Sequence, residues 1–78
     1  KKKELTMSVT QKSICRILDT AASRCHSVDL EPASTRQCWY LAKLMLEAGD
    51  DGSEILLNNS FLLTKREGSK LIKFHLND

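Results

Sequence analysis

The run from Cys38 to Ala48, CWYLAKLMLEA, constrains this chain more than any other stretch. At helical spacing Arg36, Tyr40, Lys43 and Glu47 follow one another at steps of four, three and four, which aligns them as one narrow polar stripe. The rest of the run is apolar: Cys38, Trp39, Leu41, Ala42, Leu44, Met45, Leu46 and Ala48. A helix that is apolar around most of its circumference needs packing partners on two sides or more. The sequence therefore predicts a central helix, with Trp39, Leu41 and Met45 in the core and the other elements as its cover. Ser34 and Gln37 stand at capping-box spacing just before it, with Pro32 ahead of them. Gly49 is the left-handed residue expected beyond its end.

Upstream, Ser8 and Gln11 repeat the capping-box spacing. Ile14, Ile17, Leu18, Ala21 and Cys25 then recur at helical steps, with Lys12, Arg16, Asp19 and Ser23 on the opposite face. This predicts a one-sided amphipathic helix over residues 9–25. Residues 1–8 open on Lys1-Lys2-Lys3 and show no apolar period, so they read as a flexible basic tail. Residues 9–78 read as a single domain. A chain of 78 residues carries one core, with a stability of roughly 4–12 kcal/mol.

Downstream, Asp50-Asp51-Gly52-Ser53 is a turn by composition. Residues 54–57 suit a short helix, or a strand entering a turn at Asn58-Asn59; the short helix is favoured. Phe61 to Lys65 and Lys70 to Leu76 read as strands, joined by a bulged loop through Gly68. In that reading Ile72, Phe74 and Leu76 share the buried face. The expected fold class is α+β: two main helices, a short third, and a C-terminal antiparallel hairpin. That order of elements resembles a winged-helix layout, which implies nucleic-acid contact through the hairpin.

Chemistry is sparse. The only metal-ligand candidates, Cys25, His26, Cys38 and His75, lack the paired short spacing of a zinc site, and Cys15 lies a turn or more away. No nucleophile is paired with a base by any local signature, and the chain is too short to enclose a pocket of the usual ~300–1,000 Å³. No catalytic residue, cofactor, metal or small-molecule substrate is expected. Glu47, Asp50, Asp51 and Glu54 lack the alternating ligand spacing of a calcium loop. Three cysteines make an odd count on apolar helical faces, which points to reduced thiols and an intracellular setting, nucleus or cytoplasm. No apolar run is long enough to cross a bilayer.

What remains is binding. A net charge of +2 does not by itself imply a polyanionic partner. The first expectation is a non-enzymatic protein–protein interaction module of a larger protein, contacting its partner through Arg36, Tyr40, Lys43 and Glu47, because an exposed tyrosine beside arginine is a common anchor. The alternative is a winged-helix-like domain that grips nucleic acid through a basic wing of Lys65, Arg66, Lys70 and Lys73.

Overall fold

The computed structural model describes residues 9–77. Within them lie α1 (Gln11–Ser23), prolonged by a 3-10 segment (Arg24–Val28), α2 (Thr35–Glu47), α3 (Ser53–Leu57) and α4 (Lys65–Leu76). The expected tail at 1–8, and Ser8 as a cap, fall outside the described residues. Thr10 is the N-cap of α1 instead, its hydroxyl accepting from the Ser13 amide at 3.2 Å. Ile14, Cys15, Leu18, Ala21 and Ala22 form the buried face of α1.

The ends of α2 are set by local sequence, as expected. Ser34 Oγ accepts from the Gln37 amide at 3.0 Å, and Gln37 Oε1 accepts from the Ser34 amide at 3.0 Å. At the other end Gly49 adopts φ +79°, and the Gly49 and Asp50 amides return to the Leu46 and Met45 carbonyls. That is a Schellman closure. α2 packs against α1 on one side and α4 on another, so the two-sided cover is present. Cys38, Leu41, Ala42 and Met45 are all 0–2% exposed. Trp39 is not with them. It remains 49% exposed, because the residues facing α1 and α4 recur at 38, 41, 42 and 45, and the third side of α2 has no covering layer.

The C-terminal hairpin is overturned. Among the described residues no strand forms, and only a single bridge joins Pro32 to Thr64, so the fold is all-α and not α+β. Residues 65–76 are helix α4. Thr64 caps it, its Oγ1 accepting from the Glu67 amide at 3.0 Å, and this Thr-x-x-Glu spacing is a helix start. Gly68 lies inside the helix, facing α2, where an added Cβ would sit 3.5 Å from the Ala33 Cβ. The covered positions of α4 are Glu67, Gly68, Leu71, Ile72 and His75, which follow a helical period. Phe74 and Leu76, placed in the core by a period of two, are 65% and 57% exposed. The winged-helix-like order falls with the hairpin.

The connection from α3 to α4 is extended and threads the core. Leu63 is 0% exposed, its amide donating to the Ala21 carbonyl at 3.3 Å and its carbonyl accepting from Ala33 at 2.9 Å. Arg24 donates to the Asn58 and Phe61 carbonyls at 3.1 and 3.2 Å, holding the start of the connection against the first helical layer. The Gln37 side-chain amide reaches Lys65 O at 3.2 Å and Ser69 Oγ at 3.3 Å, and so fastens the first turn of α4 to the start of α2.

The short helix favoured at 54–57 is α3. Gly52, at φ +80°, precedes it, and Ser53 is its first residue. Asp50 and Asp51 accept from the Gly52 and Ser53 amides at 2.9 and 3.0 Å, which accounts for carboxylates where the macrodipole disfavours them. The Ser53 hydroxyl and amide hold the Asp51 carboxyl below its ordinary value. No described helix is long and apolar enough to cross a membrane.

Candidate functional site

Helix α2 sets the site, because its uncovered side carries residues at 36, 39, 40 and 43, neighbours at helical steps of three and four. A groove of about 640 Å³ runs there, lined chiefly by Arg36, Trp39, Tyr40 and Lys43 of α2, Gln11 of α1 and Ile72 of α4. This volume is within the ordinary range for ligand sites, but the groove is open to solvent and does not enclose a pocket. Gln11 Nε2 donates to the Trp39 carbonyl at 2.9 Å, which ties the first turn of α1 to the middle of α2. Tyr40 is 40% exposed, so both rings keep one side in solvent.

Three of the four residues assigned to a partner surface therefore line one groove: Arg36, Tyr40 and Lys43. Glu47, a turn beyond Lys43, is not among its lining residues. Trp39 and Ile72 were missed, both having been assigned to buried faces. The signal for Trp39 was its place at Arg36 plus three and Lys43 minus four, the same row as the polar stripe.

Helix formation also regroups the basic residues. Lys65, Arg66, Lys70 and Lys73 line one shallow exposed surface with Ser69, about 430 Å³ in volume. The hairpin would have split them between strand and loop. Lys65 pairs with Glu31 at 3.2 Å and Lys70 with Glu67 at 3.7 Å, so acidic neighbours partly offset this stripe.

Cys15, Cys25 and Cys38 are free thiols, all buried. No three His, Cys, Asp or Glu side chains converge as a metal site would need, among the described residues. Burial pushes the Cys38 thiol up from 9.0 to about 12, and the Asp19 carboxylate adds to the shift. Cys15 is raised by the same two causes, with its Sγ donating to Asp19 Oδ2 at 3.9 Å. Such thiols are poor nucleophiles while folded. Because the folded state holds the Cys38 proton more tightly than the unfolded chain, this contribution to stability is whole below pH 9.0 and lost as pH rises towards about 12. The urea midpoint should fall across that window, and fall less in Cys38→Ala. Iodoacetamide should label Cys38 only as fast as the domain opens; prompt labelling of the folded protein would contradict the burial.

Comparison of the chain with family models, curated proteins and solved structures returns no match.

Proposed function

We propose that the chain is a non-enzymatic protein-interaction module and that the α2 groove is its contact surface. The observation that supports this is the exposure of the single Trp and single Tyr side by side, over a groove, between Arg36 and Lys43. Aromatic residues and arginine dominate interface energetics, since rigid rings bury large areas at low entropic cost. Three buried thiols without a disulfide support an intracellular, reducing setting, in nucleus or cytoplasm. The test is capture of partners from cell extract by the immobilised domain, compared with its Trp39→Ala and Tyr40→Ala variants. Each variant should keep its helical circular dichroism and weaken partner binding by roughly 1 kcal/mol or more. A partner held equally by wild type and both variants would move the contact off this groove.

The second reading is polyanion contact through Lys65, Arg66, Lys70 and Lys73, favoured by their convergence on one face of α4. It requires binding to duplex DNA or RNA that falls steeply with salt and is abolished by reversing those four charges. Glu31 and Glu67, each paired to one of the lysines, weigh against strong affinity.

A further inference from the structure

We infer that the α2 groove takes an acidic segment of the partner, in which an apolar side chain is flanked by carboxylates; this rests on the groove being the contact surface. The floor and the ends of the groove differ in chemistry. Trp39, Tyr40 and Ile72 supply apolar and aromatic surface, while Arg36 and Lys43 supply the charge, and no acidic side chain is among the described lining residues. Gln11 and Gln37 are neutral. Complementarity therefore selects a ligand that is apolar in the middle and negative to either side.

Spacing narrows it further. Arg36 and Lys43 are seven residues apart on one helix, about 10 Å along the axis at ~1.5 Å per residue. The ligand carboxylates should be separated by a similar span, about three residues of extended chain or two turns of helix. A guanidinium at the Arg36 end takes a carboxylate in a forked pair, whereas the Lys43 ammonium acts as a point charge on a flexible stem. The Arg36 end should therefore be the more selective of the two. Glu47 stands beyond Lys43 and would repel a ligand that carried its acidic residues further in that direction, which limits the ligand on that side.

The experiment is selection of a displayed random peptide library on the wild-type domain, with parallel selections on Trp39→Ala/Tyr40→Ala and on Arg36→Glu/Lys43→Glu. Enriched peptides should carry Asp or Glu on both sides of an aromatic or aliphatic residue. Synthetic copies should lose at least tenfold in affinity when the acids become Asn or Gln, and a similar factor on Arg36→Glu/Lys43→Glu. Lys43→Arg, which keeps the charge at the less selective end, should retain most of the binding, whereas Arg36→Lys should bind more weakly than wild type and more tightly than Arg36→Glu. Enriched peptides that depend on Trp39 and Tyr40 but are neutral or basic would overturn the acidic ligand and leave the groove in place. Enrichment on wild type no different from that on Trp39→Ala/Tyr40→Ala would overturn the groove as well. Folding of each variant is checked by its urea midpoint.

Discussion

Leu63→Ala should destabilise the domain by about 2–5 kcal/mol, the usual cost of removing a buried leucine side chain and leaving its cavity. Leu63 is 0% exposed and belongs to the core that joins α1 to α2. Its backbone is held on both sides, by Ala21 through its amide and by Ala33 through its carbonyl, so the chain cannot easily shift to fill the void. Against a total of roughly 4–12 kcal/mol, such a loss removes a substantial share of the stability. Leu57, 81% exposed at the end of α3, is the comparison. Leu57→Ala should move the urea midpoint by no more than about 0.5 kcal/mol in stability. Equal effects at the two positions would show that the connection between α3 and α4 does not thread the core.

Gly68 gives the second large effect, and its sign discriminates between folds. Here it is a helical glycine packed on α2, and an added Cβ would meet Ala33 Cβ at 3.5 Å and Gln37 Cδ at 3.6 Å, both ordinary contacts. Gly68→Ala should therefore be tolerated and should stabilise by up to about 1 kcal/mol, the difference in helix propensity. A branched side chain has no such room. Gly68→Ile should push α4 away from α2 and cost about 1–3 kcal/mol, and it should break the Gln37 contacts to Lys65 and Ser69. In a hairpin loop the order would differ, because a left-handed glycine is destabilised already by alanine. Urea midpoints of the two variants suffice. A loss on alanine comparable to that on isoleucine would argue for the turn.

The contrast between α2 and α4 shows what could be read from residues alone. The Ser34–Gln37 capping box and the Gly49 closure are local devices, each satisfied within a few residues, so spacing alone locates both ends of α2. For α4 two periods competed. Ile72, Phe74 and Leu76 alternate as in a strand, whereas Gly68, Leu71, Ile72 and His75 recur as in a helix. The alternation is short, and the Thr64–Glu67 cap decides the matter. A glycine taken as a turn marker proved to be a contact point, a distinction that depends on α2 lying against it. The same limit explains the site. Arg36, Tyr40 and Lys43 were legible as a stripe, because stripes are a property of one helix. Whether Trp39 joined them or the core depended on how many sides of α2 the rest of the chain could cover, and that is set by tertiary packing.

Gln37 holds two offices that are usually separate. Its side-chain oxygen closes the capping box, and its side-chain nitrogen grips Lys65 and Ser69 of α4. At a capping position glutamate ordinarily substitutes for glutamine, since only an acceptor is required. At this position it would preserve the first role and abandon the second, leaving a carboxylate against a carbonyl. Residue 37 is thus a joint between two helices disguised as the punctuation of one. Fraying at the start of α2 would loosen the Gln37 contacts to α4, although Lys65 stays bonded to Glu31 through its amide at 3.0 Å. The groove wall at Ile72 lies on the same rigid lever, two turns further along.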